Sequence, residues 1–259
     1  MLLTIDCGNT NIVFALYDGD SQCANWRIST DNKRSGDEYI VWLTQLMRLK
    51  SIPADAVDGI IIASVVPDVV PKLVNLAMRG FAITPMIVGK PNVDLGIDIH
   101  IDRPDQAGAD RLVNAVAARD HYDLPAIVLD FGTATTLDLI GKAGTYEGGI
   151  IAPGVNLSVE ALYHAAARLP RLAVEPWDND MPVLGKDTHS AMQSGIFWGY
   201  VGLVQGLIGR LRAEVGADLP AIATGGLAPL FAPHVPEISI VDPDLTLKGL
   251  VGIYRQNKR

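Results

Sequence analysis

Asp6 and Asp130 each stand at the end of a short apolar run and are followed by x-Gly and small polar residues. The two stretches are "LLTIDCGNTNIVFAL" from Leu2 and "AIVLDFGTATTLDLI" from Ala126. A glycine lets backbone approach a phosphate with no Cβ in the way, and successive N–H groups in such a tip make an anion cradle. Asn9, Thr10 and Asn11 in the first tip, and Thr133, Thr135 and Thr136 in the second, are small and polar. A carboxylate at a strand end, such as Asp6, can hold a hydrated Mg²⁺, which keeps most of its waters and bridges phosphates. A solvent-facing hairpin has the same composition, so either tip alone leaves both readings open. Finding the same unusual tip twice favours the phosphate reading, with the two tips holding the two ends of a triphosphate.

A third group is "GADR", Gly108–Arg111, where a helix begins. Asp110 there can accept a proton from a hydroxyl as it attacks phosphorus. Arg111 can pair with a carboxylate or offset phosphate charge. An acid stabilised by the helix dipole, followed by a surface arginine, is the plainer alternative. "TGGLAP", Thr224–Pro229, follows a buried strand. Its glycines leave room for a flat ring or a ribose, or simply make a strand-to-helix turn. The five histidines, His100, His121, His164, His189 and His234, have no metal-ligand spacing. Neither Gly-x-x-x-x-Gly-Lys-[Ser/Thr] nor Gly-x-Ser-x-Gly occurs.

The elements that must position these groups follow from the patterns between them. "LLTIDCG" and "NIVFALYDGD" predict paired strands, with a turn at Asp18–Asp20 leading to a third, "ANWRIST". Tyr39, Ile40, Leu43, Leu46 and Met47 at helical spacing predict an amphipathic helix. "VDGIIIASVVP" predicts a buried parallel strand, "PDVVPKLVNLAMRG" a helix bounded by proline and glycine, and "ITPMIVG" another strand. A polar lead and a helix follow, up to Tyr122. Then the pattern restarts with strand, tip, strand, turn and strand through "AIVLDFGTATTLDLIGKAGTYEGGIIAPG". A helix over "NLSVEALYHAAARL", a proline-rich connection containing the loop "DMPVLGKD" and a long helix from about His189 to Val215 come next. The strand "PAIAT" and a closing helix, "LTLKGLVGIYRQNKR", complete the chain. Asp6 matches Asp130, and "GIIIASVVP" matches "PAIATGGLAP", so the sequence repeats after about half its length. Two related α/β domains facing each other follow, over residues 1–115 and 116–259, the second enlarged between Glu147 and Ser190.

Composition limits the partners. The 259 residues are 49% hydrophobic and 19% charged, enough for a sizeable core. A net charge of −8 and a pI near 5.0 argue against nucleic acid as the main partner. No apolar run approaches the roughly 20 residues of a membrane span. "MLLTID" lacks the basic region of a signal peptide. Cys7 and Cys23 form no disulfide framework, and a soluble cytoplasmic protein is expected.

In chain order, "DCGNTN", "GADR", "DFGTATT", "GGIIAPG", "DTHSAMQSGIFWGYVG" and "TGGLA" together resemble the type III pantothenate kinases, along nearly the whole chain. The resemblance implies a fold similar to actin, hexokinase and the Hsp70 ATPase. That fold has two duplicated RNase H-like domains with mixed five-stranded sheets flanking a nucleotide cleft. It implies ATP-dependent phosphorylation of pantothenate, with Mg²⁺ and a monovalent cation (K⁺ or NH₄⁺), in a homodimer with weak or absent feedback by coenzyme A. Carried over, Asp6, Cys7, Gly8, Asn9, Thr10, Asn11, Ile12 and Val13 resemble the first phosphate loop, with Asp6 on the Mg²⁺-phosphate side. Thr133 resembles the threonine of the second loop, and Asp130 the residue tied to the monovalent cation. Asp110 resembles the base. Gly108, Ala109 and Arg111 would line the pantothenate site, Arg111 toward its carboxylate. Thr188 resembles a pantothenate contact supplied by the partner subunit.

The family's usual Tyr-Asp-Asn-Pro before this motif is here "IDRP", Ile101–Pro104, so the aromatic wall of that pocket is missing or supplied elsewhere. Two other readings stand beside this one. The first is a small-molecule kinase of the same superfold acting on a sugar or acid, against which "GADR" argues. The second is a non-catalytic nucleotide-binding paralogue, against which Asp6, Asp110 and Asp130 argue.

Overall fold

Apolar runs with β-branched residues make the strands, and the polar tips between them become the hairpin turns. β1 (Leu2–Cys7), β2 (Asn11–Asp18) and β3 (Ser21–Ser29) form an antiparallel meander. β4 (Gly59–Ser64) lies parallel to β1, and β5 (Met86–Ile87) parallel to β4. The strand order is β3-β2-β1-β4-β5. Later in the chain β6 (Ala126–Phe131), β7 (Ala134–Ile140) and β8 (Tyr146–Pro153) form a second meander. β9 (Ala221–Thr224) is parallel to β6, and β10 (Ile238–Val241) parallel to β9. This sheet runs β10-β9-β6-β7-β8, the first order read from its other edge. The expected α/β fold with two duplicated mixed five-stranded sheets is therefore present. The computed structural model describes residues 1–165, 169–178 and 180–258.

Two compact units contain these sheets. One comprises Met1–Asp98, Asp102–Tyr122 and Asp244–Arg259, the other Ile99–Ile101 and Asp123–Pro243. In the first, α1 (Gly36–Leu49) lays Tyr39, Leu43 and Met47 on Leu3, Ile5, Phe14 and Leu16 of the sheet. That is one turn between contacts, as the 3.6-residue period requires. The helix starts at a capping box in which the Glu38 carboxylate accepts from Ser35 N–H at 2.7 Å and the Ser35 hydroxyl accepts from Glu38 N–H at 3.3 Å. The opposite face of the sheet is covered by α3 (Ala109–His121) and α7 (Leu245–Asn257), which meet Leu2, Ala15 and Ile61 through Val113, Val116, Leu250 and Ile253.

In the second unit, α5 (Thr188–Val215) and α6 (Ala228–Phe231) cover one sheet face. Phe197, Tyr200, Val201, Val204, Ile208 and Phe231 pack on Ile127, Leu129, Phe131 and Leu137.

Three elements differ from the sequence expectation. The helix anticipated over 67–80 is α2 (Val70–Asn75) followed by a single π-helical turn, Leu76–Gly80. The strand anticipated in "ITPMIVG" pairs over Met86–Ile87 only. β10 was not anticipated at all. It is a four-residue edge strand of half-buried and exposed residues, too short for alternation to stand out. The helix read over "NLSVEALYHAAARL" is α4 (Val155–Ala165). Residues 166–168 of that reading, Asn179 of the proline-rich connection and the last residue of the closing helix lie outside the described residues.

Candidate active site

In the first unit, Asp6 and Cys7 end β1 opposite Val13 and Ile12 of β2. Side chains alternate along a strand, so the four do not share a face. Cys7 and Ile12 point into the core, at 1% and 0% exposure. Burial pushes the Cys7 thiol up, a hydrogen bond with Ser64 pulls the other way, and the Asp6 charge raises it further. Cys7 thus stays a neutral core residue and offers the tip only its backbone. Asp6 is half-buried, Asn9 and Thr10 are exposed, and Gly8, Asn11 and Val13 are half-buried.

The tip is held from two sides. Gly8 N–H donates to Asn11 C=O at 3.0 Å. Thr30, just after β3, donates its hydroxyl to Gly8 C=O at 2.6 Å and its N–H to Thr10 C=O at 2.9 Å. Sequence reading missed Thr30. It lies 22 residues from the glycine that it holds, and no local pattern marks it.

Gly108 caps α3 without a side-chain hydrogen bond, and Ala109, Asp110 and Arg111 form its first turn, all half-buried. The Asp110 carboxylate folds back and accepts from Arg111 N–H at 2.8 Å. A Cβ at Gly108 would stand 2.5 Å from that carboxylate oxygen, so the glycine is what admits this rotamer. Before the helix, the Arg103 guanidinium makes two hydrogen bonds with Asp105, at 3.1 and 3.0 Å. Part of the divergent "IDRP" segment is therefore tied up in an exposed ion pair.

The second unit repeats the tip with one residue fewer. Asp6 pairs with Val13, seven positions on, whereas Asp130 pairs with Thr136, six on. Gly132 N–H donates to Ala134 C=O at 3.1 Å, leaving Thr133 at the apex. Two glycines crowd this tip. A Cβ at Gly154 would stand 2.3 Å from Thr133 C=O oxygen and 2.8 Å from that of Gly132. Gly225, at φ +90, would place one 2.5 Å from the Asp130 carboxylate and 2.7 Å from Phe131 N. The "TGG" turn therefore packs its first glycine on Asp130, while a Cβ on Gly226 would meet nothing within 4 Å. Of the two glycines in this turn, Gly226 is the one with open space beside it.

Thr188 is exposed and opens α5 behind an Asp187 cap whose carboxylate accepts from Ser190 N–H at 2.9 Å. It lines a groove of about 650 Å³ between α4 and α5, with Val155, Leu162, Met192, Gly195 and Tyr200.

Among the described residues, no three His, Cys, Asp or Glu side chains cluster as a metal centre. A half-buried carboxylate such as that of Asp6 suits Mg²⁺, which keeps most of its waters and takes other ligands from phosphates. The Asp130 carboxylate lies where a Gly225 side chain would stand.

These loops and their neighbours lie in a chain whose relatives are identifiable. Residues 2–210 match the family model of type III pantothenate kinase. A type III pantothenate kinase of Paramagnetospirillum magneticum is 54% identical over 257 residues, spanning 99% of this chain and 98% of its own. One of Rhodospirillum rubrum is 55% identical over 258 residues, spanning 100% and 99%. A solved structure of a conserved Baf family protein from Campylobacter jejuni shares the fold at TM-score 0.60 and 20% identity, over 99% of this chain and 98% of that one. By that match and those relatives, the chain belongs to the type III pantothenate kinase family.

Proposed function

We propose that the protein transfers the γ-phosphate of ATP to the primary hydroxyl of pantothenate, giving 4′-phosphopantothenate for coenzyme A synthesis. The observation that carries this reading is the Asp110 carboxylate, held at the start of α3 by Arg111 N–H, in a chain about half identical to pantothenate kinases over its full length.

Phosphoryl transfer requires little covalent work from the protein and much positioning and charge neutralisation. Asn9, Thr10 and Asn11, in the turn that Gly8 closes, offer the first set of phosphate donors, and Thr133, in the turn that Gly132 closes, the second. Asp6 would hold Mg²⁺, which neutralises phosphate charge. Asp130 would hold K⁺ or NH₄⁺, which offsets more of it. Asp110 orients the acceptor hydroxyl and takes its proton, and Arg111 pairs with the pantothenate carboxylate beside Gly108 and Ala109. No described helix is long and apolar enough to cross a membrane, and the reading places the enzyme in the cytoplasm.

The reading includes a homodimer, with Thr188 reaching the partner's substrate. α5 supports it. Gly195, Gly199, Gly202, Gly206 and Gly209 recur every four or three residues, and a Cβ on each would meet nothing within 4 Å. At 100° per residue they lie opposite the core face of Phe197, Val201, Val204 and Ile208. A glycine inside a helix costs about 1 kcal/mol relative to alanine, and no contact within the described residues offsets five of them. Close approach of a second α5 would. A two-fold pair also presents the same patch from both copies.

The test is a desalted preparation assayed for ATP- and Mg²⁺-dependent phosphorylation of pantothenate, with and without K⁺ or NH₄⁺, its mass measured in solution. Product that depends on the cation, from a protein of twice the chain mass, is expected. No product in any salt overturns the activity. A monomer that still turns over overturns the role of Thr188.

A further inference from the structure

Thr135 is out of place for a core residue. On β7 it shares the α5-facing side with Leu137, and it is fully buried. The corresponding position in the first unit, one residue after the tip, is the apolar and fully buried Ile12. The Thr135 hydroxyl shares a hydrogen bond with the phenol of Tyr200, 65 residues later on α5. Val155, at the start of α4, belongs to the same core cluster as Tyr200 and lines the same groove. Tyr200 is 5% exposed, its ring 6.0 Å from that of Phe131 and 4.6 Å from that of Phe231. Valine and phenylalanine would fill both places without burying two hydroxyls, which is costly unless they pair.

The location supplies a reason. Thr135 is the Cα partner of Phe131, and these two residues close the hairpin whose apex is Thr133. Val155 follows Gly154, which packs on the Thr133 and Gly132 carbonyls. Tyr200 therefore links the far strand of the tip, through its hydrogen bond with Thr135, to the core cluster at the helix start that presses on the apex. Burial pushes the phenol up to about 12, against the Thr135 hydrogen bond that lowers it, so the O–H is present throughout the working pH range.

We propose that Tyr200 is a positioning residue for the second phosphate loop, acting on nucleotide affinity through Thr135 and Val155. The proposal rests on the reading of Gly132–Thr133 as a phosphate loop. It also gives α5 a role in the site beyond Thr188, since the helix that carries the glycine face would hold the nucleotide loop from its other side.

The experiment uses the full chain as wild type, Tyr200→Phe, Thr135→Val and the double variant. Calorimetry with Mg²⁺-ATP gives the nucleotide Kd, and steady-state kinetics give KM for ATP and pantothenate. Melting curves report folding. Each single variant should raise Kd and KM for ATP about 3–10-fold, the value of one hydrogen bond, and leave KM for pantothenate unchanged. The double variant should be no weaker than either single one, because all remove the same contact. Unchanged ATP affinity in Tyr200→Phe overturns the proposal. So does an equal rise in both KM values that tracks a lowered Tm, the mark of a packing role alone. Wild-type protein that binds ATP without phosphorylating pantothenate overturns the activity proposed above, and Tyr200 is then judged on Kd. Wild type that binds no nucleotide overturns both.

Discussion

The proposed chemistry rests on a carboxylate whose direction is set by its two neighbours. Asp110 accepts from Arg111 N–H at 2.8 Å, and a side chain at Gly108 would collide with that same oxygen. The GADR motif thus holds together as a unit, with glycine admitting the rotamer and the next N–H holding it, and in the proposed reaction the arginine beside it meets the anionic substrate. Asp110→Ala should lower kcat by about 10²–10⁴-fold, the usual contribution of a general base. ATP affinity and the melting transition should be those of wild type, because a half-buried residue in the first turn of a helix supports little packing. Steady-state kinetics beside calorimetry and thermal melts check this, and normal turnover would remove Asp110 from the reaction.

Elements hold the loops by contacts distant in sequence. Thr30, after β3, clasps two carbonyls of the first tip, those of Gly8 and Thr10. Thr30→Val keeps the shape and the backbone bond but loses the hydroxyl. KM for ATP should rise about 2–10-fold, since one hydrogen bond is lost, with the α-helical signal unchanged. α1 is set by a different device. Two hydrogen bonds from Ser35, backbone first and then side chain, hold the Glu38 carboxyl below its ordinary value. The unfolded chain therefore binds this proton more readily, and the cap contributes stability above the unfolded value of about 4.5. That contribution fades as pH falls through the lower folded value. The stability gap between wild type and Glu38→Gln should be full near pH 7 and shrink steadily below about pH 4.5. Denaturant titrations at a series of pH values measure it, and a gap independent of pH would contradict the capping box.

At the scale of the whole chain, the last helix belongs with the first strands. α7 supplies Leu247, Leu250, Val251 and Ile253 to the face of the first sheet that also receives Val113 and Val116 of α3. The first unit is thus completed only when the end of the chain arrives. Leu250→Ala, at a fully buried position, should cost about 2–5 kcal/mol, seen as a lower denaturation midpoint. A loss well below 1 kcal/mol would mean that α7 is not seated on this sheet.

The sequence by itself determined the local half of this protein. Apolar runs, helical spacing and polar tips are properties of neighbouring residues. They were enough for the two meanders, for α1, α3, α5 and α7, for the Asp-x-Gly repeat and for the family. Residues Asp6–Thr10, Gly108–Arg111 and Asp130–Thr133 stand out for the same reason, because each motif is written in contiguous residues. Tertiary structure alone decided what touches them. Thr30 on Gly8, Gly154 on Thr133, Gly225 on Asp130 and Tyr200 on Thr135 join residues 21 to 95 positions apart. Such contacts depend on which strands become neighbours and how helices lie across them. β10 also needed a neighbour. Four half-exposed residues have too little pattern of their own, and they form a strand because β9 is there to pair with.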